Sequence, residues 1–289
     1  MSRNANLKEA KRAKNDEFYT QLSDIERELS NYQAHFYGKT IYLNCDNPEE
    51  SNFWQYFSLN FKHLGLKKLI ATHFNPVNET YKLEMYGDNI IRTPLEQNGD
   101  FRSSESIEIL QESDIVVTNP PFSLFREYIA QLMEYEKKFL VIGNPNAITH
   151  KEIFPYIKDN ELWLGINFPK EFLQPDDTYK SIFTCWYTNL NHSKQHEELI
   201  LYKHYSEEEY PKYDNYDAIN IDKVKHIPCD YDGIMGVPIT FFDKYNRSQF
   251  EIIGTIGAAG IYDVGKALVG GIAKYKRLLI RKLPSNVQE

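Results

Sequence analysis

The chain has 289 residues, of which 42% are hydrophobic and 26% charged, a composition that excludes disordered, collagen-like and coiled-coil proteins. No uncharged stretch approaches the roughly 20 residues of a membrane span, and the polar first residues lack the apolar core of a signal peptide. Three scattered cysteines do not make a disulfide framework, so we expect a cytoplasmic protein without a membrane segment.

Charge is distributed unevenly along the chain. The net charge is −8, yet residues 1–14 carry five bases and one acid, and residues 266–289 carry six bases and one acid. The intervening residues have a net charge of −17. Basic ends on an acidic body suit binding to a polyanion such as nucleic acid, although basic termini also serve solubility alone.

The predicted elements alternate through the first two-thirds of the chain. Apolar runs predict strands at residues 41–44, 68–74, 114–118, 138–142 and 162–166. Helical patterns lie between them at 48–57, with Asn47 as N-cap, and at 104–112 and 122–135. This alternation predicts an α/β domain with a mostly parallel, doubly wound sheet.

The pattern changes after about Thr188. Tyrosine, aspartate, asparagine and proline cluster at residues 205–232, where no helix is predicted. Glycines between residues 254 and 271 suggest a flexible loop that orders on DNA. We therefore divide the chain into a basic arm at 1–14, an α/β domain at 15–188 and an irregular region at 189–289.

The segment 114–122 carries the chemistry. A buried parallel strand ends in Asn119, Pro120, Pro121 and Phe122, and ligands of doubly wound folds bind at the carboxyl ends of strands. The prolines remove two backbone donors and force Asn119 into an extended conformation. The polar atoms left exposed are mainly acceptors, beside an aromatic ring. A tight turn that caps a strand is the alternative interpretation.

Two acceptors next to a ring suit an exocyclic amine on a planar base. The lone pair of such an amine is delocalised into the ring, so the nitrogen is a poor nucleophile. Acceptors that hold its two hydrogens favour a pyramidal nitrogen, whose lone pair can be aimed at an electrophilic methyl group. This is catalysis by positioning and electrostatics.

Several segments together resemble the EcoRI-type family of adenine-specific DNA methyltransferases. They are residues 14–26, 99–106, 113–125, 210–220 and 233–241. The resemblance implies a Rossmann-like, S-adenosylmethionine-dependent methyltransferase fold followed by a C-terminal target-recognition region. It also implies methylation of N6 of adenine in double-stranded DNA at a short specific sequence, with the adenine flipped out of the duplex.

The resemblance also assigns residues to the cofactor. Phe18, Tyr19 and Thr20 match the N-terminal motif that closes over its methionine end, and Asp100 and Phe101 match the motif whose acid binds its adenine amine. Asn119 is shared between cofactor and catalysis. The first loop departs from the family pattern, because Asn44, Cys45 and Asp46 stand where a Gly-x-Gly turn is usual. The usual acid after the second strand is also missing.

The expected DNA contacts come from two parts of the chain. They are Arg3, Lys8, Lys11, Arg12 and Lys14 in the arm, and Lys212 and Tyr213 in the second region. No metal site is predicted, since the spacing of His192 and His196 lacks further ligands. We expect a monomer, with a cognate restriction endonuclease encoded separately as a possible partner.

Two other functions remain open at this point. The planar amine could belong to an RNA base or to a protein glutamine, which is also methylated by Asn-Pro-Pro-aromatic loops. Alternatively, the altered first loop could mark a catalytically inactive DNA-binding relative.

Overall fold

The structure, a computed structural model, describes residues 19–45, 47–75, 80–173 and 178–284. The arm at 1–14, Phe18 and Asp46 lie outside the described residues. The chain forms two compact units. The first contains Met1–Asn144 and Gly165–His192, and the second contains Pro145–Leu164 and Ser193–Glu289.

The elements are numbered along the chain. The described strands are β1 (Tyr19–Thr20), β2 (Thr40–Leu43), β3 (Lys68–Ala71), β4 (Tyr81–Tyr86), β5 (Asn89–Pro94), β6 (Ile115–Thr118), β7 (Lys138–Gly143), β8 (Trp163–Leu164), β9 (Glu171–Leu173), β10 (Tyr179–Ser181), β11 (Cys185–Thr188), β12 (Ile219–Asn220), β13 (Met235–Pro238), β14 (Phe250–Ile256), β15 (Leu268–Val269), β16 (Ile272–Ala273) and β17 (Arg277–Lys282). The α-helices are α1 (Leu22–Leu29), α2 (Gln33–Phe36), α3 (Asn52–Leu59), α4 (Ser104–Glu112), α5 (Phe125–Glu134) and α6 (Phe154–Lys158). Short 3-10 helices cover Phe122–Leu124, Pro145–Thr149, Ser193–His196, Val224–His226 and Ile239–Lys244.

The first unit is built on a large mixed sheet. Its strands run in the order β5-β4-β3-β2-β6-β7-β11. The four central strands, from β3 to β7, are parallel, whereas β4, β5 and β11 join antiparallel. The prediction of an α/β fold is confirmed, and the sheet is parallel only in its centre. A smaller antiparallel sheet has the order β1-β9-β10.

Helices cover both faces of this sheet. Ile41 and Leu43 of β2 belong to one buried cluster with residues of α1 and α3. Alternate residues of a strand point to opposite faces, and Asn44, just after β2, meets Tyr128 of α5 on the other face. The parallel strands are consequently buried on both sides, as their apolar sequences predict.

A buried carboxylate joins the two stretches of the first unit. Glu28 in α1 accepts hydrogen bonds from the backbone N–H groups of Ile166, at 2.8 Å, and Asn167, at 2.7 Å. The Tyr32 hydroxyl donates to it at 3.0 Å. Burial raises the pKa of Glu28, while these hydrogen bonds act in the opposite direction. The carboxylate thus holds the returning chain against α1.

The helix after β2 begins later than predicted. The sequence places its start at Pro48 with Asn47 as N-cap, but α3 begins at Asn52 and is capped by Ser51. The Ser51 hydroxyl accepts hydrogen bonds from the N–H groups of Phe53, at 3.1 Å, and Trp54. Because a serine can satisfy these amides, residues 48–50 form a turn instead of a first helical turn.

The hairpin of β4 and β5 was not predicted from the sequence. Every residue of β5 is exposed, so this edge strand has no alternation of buried and exposed positions to indicate it. The turn contains Gly87, whose φ of 60° favours glycine.

The second unit is more regular than predicted. Four strands form a sheet in the order β12-β13-β17-β14, and β15 and β16 form a separate hairpin. Tyr213, Ala218, Ile256, Ala267 and Leu279 make a buried cluster in this unit. The sequence does not indicate this sheet because its strands are short or pair with distant segments.

Candidate active site

The Asn119–Phe122 loop leaves the carboxyl end of β6. Asn119 is 8% exposed, and Pro120 behind it is buried. Pro121 is extended, with φ −56° and ψ 124°, and its carbonyl accepts the Leu124 N–H at 3.0 Å. The Pro121 carbonyl is therefore engaged in the turn, and Asn119 and Pro120 are buried instead of exposed as the sequence predicts.

Phe122 stands at the start of the 3-10 helix that follows. It is partly buried and packs against the buried cluster of the first unit. This packing fixes the position of the ring and leaves part of its surface exposed. Stacking of that surface on a base stays a prediction.

Helix α5, which follows the loop, packs against the end of β7. A Cβ atom at Gly143 would lie 2.4 Å from the ring of Phe125, the first residue of α5. The same ring packs on Tyr187 of β11, with ring centroids 5.0 Å apart. The glycine therefore allows α5, and with it the loop, to approach the sheet closely.

The first loop lies at the same edge of the sheet as Asn119. Strands β2 and β6 are parallel neighbours, so Asn44 and Asn119 follow adjacent carboxyl ends. Asn44 is 2% exposed, and its Oδ1 accepts the Tyr128 hydroxyl at 2.5 Å. Cys45 Sγ lies 3.5 Å from the same oxygen. The Asn44 carboxamide is thus held in one orientation by the protein.

Asp100 is fixed as an ionised group. Its Oδ1 accepts both the N–H and the Nε–H of Arg102 at 2.9 Å, and its Oδ2 accepts Arg102 Nη2 at 2.6 Å. Burial acts to raise the pKa of Asp100, but the hydrogen bonds from Arg102 outweigh it, so the pKa lies below the usual range. The preceding Gly99 has φ 71°, and a Cβ there would meet the His73 carbonyl.

Helix α5 anchors the turn that contains Asp100. Tyr128 packs edge-on against Phe101 with centroids 5.0 Å apart, and Gln131 Nε2 donates to the Phe101 carbonyl at 3.1 Å. Arg102 also pairs with Glu127 at 3.4 Å. Tyr128 thereby joins three predicted segments: the first loop, the Asp100 turn and the helix after the catalytic loop.

Tyr128 was not predicted as a site residue. It shares the buried face of α5 with Phe125, Ile129 and Leu132. The i, i+3 spacing from Phe125 places Tyr128 on this face, but only the tertiary structure brings Asn44 to its hydroxyl.

Tyr19 and Thr20 contact the start of α3. The Tyr19 hydroxyl donates to Glu50 at 2.7 Å, and the Thr20 carbonyl accepts Asn52 Nδ2 at 2.8 Å. Because α3 follows the first loop, the structure brings the N-terminal motif to the same part of the unit as the first loop.

Two glutamates occur near the end of β3, where the sequence lacks an acid. Burial lowers the pKa of His73, and the charges of Glu49 and Glu50 oppose this shift. Glu49 pairs with Arg92 at 2.8 Å, and the Arg92 guanidinium lies 3.6 Å from the centre of the Tyr81 ring. These acids precede α3 in sequence, so a search after the second strand does not find them.

The predicted DNA contacts are only partly described. Lys212 is exposed and pairs with Asp217 at 3.3 Å. Tyr213 is 5% exposed, and its hydroxyl donates to Asn220 Oδ1 at 2.9 Å, so its described contacts belong to the core of the second unit. Direct contact of either residue with DNA stays a prediction.

In the described part of the chain, the potential metal ligands His204, Cys229 and Asp230 come together in the second unit. Their ligand atoms lie within 4.8 Å of one another. His204 Nδ1 and Asp230 Oδ2 are already hydrogen-bonded at 2.9 Å, so an ordinary histidine–aspartate pair accounts for the group.

Across the described residues, no helix has both the length and the apolar character needed to span a membrane.

Comparison with known proteins identifies similar sequences. A family model described as "Adenine-specific methyltransferase EcoRI" matches residues 6–282. The type II methyltransferase M.EcoRI of Escherichia coli is 44% identical over 323 aligned positions, which cover 97% of this chain and 98% of the relative. M.MpnI of Mycoplasma pneumoniae, also a type II methyltransferase, is 42% identical and covers 84% of this chain and 83% of its own length. M.MgeORF184P of Mycoplasma genitalium is 42% identical over 84% of both chains. No solved structure gives a significant match.

Proposed function

Because the chain belongs to the EcoRI family of adenine-specific methyltransferases, we propose that it transfers the methyl group of S-adenosylmethionine to N6 of an adenine flipped out of duplex DNA. That the chain is a DNA adenine methyltransferase follows from this membership. The methyl donor, the flipped base and the residue roles are what we propose. The target is a short specific sequence.

The observation that carries the proposal is the position of the Asn119–Phe122 loop. A rigid, acceptor-rich turn lies at the carboxyl end of a buried parallel strand, beside the first loop on the neighbouring strand. Asn119 Oδ1 and the Pro120 carbonyl hold the two amine hydrogens of the adenine. Phe122 stacks on the base, and Pro121 keeps the turn rigid. Flipping costs a few kcal/mol, which these contacts offset.

The residues present suit the cofactor. Bound S-adenosylmethionine supplies an electrophilic methyl group. Asp100 is an ionised, oriented acceptor, which matches the exocyclic amine of the cofactor's adenine. Asn44 and Cys45 line the first loop, and Tyr19 and Thr20 lie at the start of α3 with Phe18 before them. Fixed side chains there take the place of the usual glycine turn.

We extend the proposal to the organisation of the chain. The first unit is a Rossmann-like catalytic and cofactor-binding domain, and the second recognises the target sequence. The protein acts as a monomer in the cytoplasm, and a cognate restriction endonuclease encoded separately is the candidate partner. The basic arm at residues 1–14 and Lys212 contact DNA phosphates.

Nucleoside analysis tests the proposal. DNA incubated with the chain and S-adenosylmethionine is digested to nucleosides, and N6-methyladenine is measured by mass spectrometry. Asn119→Ala should lower the transfer rate about 100-fold or more, because one of two preorganised acceptors is lost. RNA and a glutamine-containing protein serve as competing substrates. Methylation of either in preference to DNA, or near-normal turnover by Asn119→Ala, would contradict the proposal.

A further inference from the structure

The second unit presents a short hairpin whose shape is fixed by the protein. Strands β15 and β16 pair through Leu268 with Ala273 and Val269 with Ile272. The two-residue turn, Gly270 and Gly271, has φ values of 56° and 77°, as a type I′ turn requires. The sequence predicts a flexible loop at these glycines, but they form a defined turn.

Asp214 holds the turn in place. Its carboxylate accepts the N–H of Gly270 at 2.8 Å and that of Gly271 at 2.7 Å. Its own N–H donates to the Leu268 carbonyl at 2.9 Å. A tip preorganised in this way loses little conformational entropy when it binds.

One end of the hairpin is buried and the other projects. Ala267 belongs to the buried cluster of the second unit, and Val269 packs against it. At the tip, a Cβ atom added to either glycine would find nothing within 4 Å. Ile272 is 69% exposed and Tyr275 is 59% exposed. The projecting end of the hairpin therefore presents apolar surface to solvent, which is available for contact with a partner.

The charge around the hairpin indicates which kind of partner it suits. Residues 264–284 contain six bases and no acid, in a chain whose net charge is −8. Lys266 is exposed beside the hairpin, and Lys274 and Lys276 follow it. The acids of other segments near it are engaged: Asp214 by the turn amides, and Asp222 by Lys274 and Arg277.

We propose that the hairpin Leu268–Ala273 enters the major groove of duplex DNA. This inference rests on the proposed function, which supplies the duplex. The major groove admits a two-stranded β-ribbon, and Ile272 would make apolar contact with base edges such as a thymine methyl group. Lys266 and Lys276 contact the flanking phosphates. The hairpin is thereby a determinant of the target sequence.

The test compares two isoleucines of the full-length chain. Ile272→Ala removes the apolar contact at the tip, and Ile200→Ala removes an isoleucine that is 84% exposed in the same unit but outside the hairpin. The probes are a short duplex that the wild-type chain methylates and a duplex of equal length that it does not. Ile272→Ala should weaken binding to the duplex that the wild-type chain methylates about 10-fold. Binding of Ile272→Ala to the other duplex should be unchanged. Ile200→Ala should bind both like the wild-type chain.

Two further measurements separate base contacts from phosphate contacts. Lys266→Ala should weaken binding to both duplexes. It should also reduce the slope of the logarithm of the binding constant against the logarithm of the salt concentration by about 0.9. Duplex RNA of the same sequence should compete poorly, since its major groove is too narrow for side chains to read.

The outcomes that overturn the inference are distinct from failure of the proposed function. A wild-type chain that methylates DNA, with Ile272→Ala indistinguishable from Ile200→Ala, overturns the hairpin's role alone. Equal competition by duplex RNA does the same. A wild-type chain that does not methylate DNA overturns the proposed function and the inference with it.

Discussion

At the scale of single residues, the Tyr128 hydroxyl is the contact that orients Asn44. Burial raises the pKa of Tyr128 well above its usual range, so the hydroxyl stays protonated and donates. Tyr128→Phe leaves the ring against Phe101 but removes the donor. We expect the KM for S-adenosylmethionine to rise about 10-fold with little change in kcat, since a buried acceptor loses its partner.

Tyr32→Phe is the matched control for Tyr128→Phe. Tyr32 is also fully buried, and its hydroxyl donates to the carboxylate of Glu28. Both variants lose a buried hydrogen bond and should lose stability. Only Tyr128→Phe should change the KM. A similar KM in both variants would show that Tyr128 supports the fold without positioning the first loop.

In the proposed mechanism, Phe122 is the residue that holds the flipped base. A 2-aminopurine placed at the target adenine is quenched in the stack and brightens when it leaves, so its emission should rise on adding enzyme. Phe122→Ala removes a stacking face worth about 1–3 kcal/mol and should reduce both the emission and the transfer rate. Phe122→Tyr keeps that face and should be mild. If both variants behave alike, the ring serves the core cluster only.

At the scale of elements, the contact between α5 and β7 positions the catalytic loop. Gly143→Ala would place a methyl group against the Phe125 ring, which also packs against the ring of Tyr187. The start of α5 must then move, and we expect a loss of about 1–3 kcal/mol in the free energy of unfolding. Urea denaturation measures this loss, and methyl transfer should fall with it because the loop moves with the helix.

Gly260→Ala is the control for that experiment. A Cβ atom at Gly260 meets nothing within 4 Å, and its φ is not in the left-handed region. The urea concentration at the unfolding midpoint of Gly260→Ala should match that of the wild-type protein. Equal stability of the two variants would mean that α5 adjusts without cost.

The elements also show what the sequence could predict. Helix α4 has the predicted bounds, because Ser103 caps it and its apolar positions have helical spacing. The predicted start of α3 was wrong, since two residues that can cap a helix, Asn47 and Ser51, lie four residues apart and Ser51 is the one that caps it. The Asn119–Phe122 loop could be proposed from the sequence because its residues are contiguous, and its catalytic role stays a prediction. The contacts of Tyr128, Glu49 and Glu50 could not be predicted, because only folding brings Tyr128 to Asn44 and the two glutamates near His73.

At the scale of the whole molecule, we expect the basic ends of an acidic chain to determine how DNA binding depends on salt. Residues 1–14 carry five bases, so deleting them should weaken DNA binding and flatten its salt dependence. Each lost phosphate contact should change the log–log slope by about 0.9. Binding is measured between low and physiological salt. An unchanged slope would mean that the arm is solvated and does not reach DNA.

The path of the chain through the first unit has a consequence for its synthesis. The chain leaves this unit after Asn144 and returns at Gly165, and β11, at Cys185–Thr188, pairs with β7. A nascent chain on the ribosome therefore exposes β7 as an open edge until the segment that covers it has been translated. An unpaired, apolar edge strand is a template for pairing with other chains. Pauses in translation between these segments should favour aggregation, and a chaperone that shields this edge should relieve it.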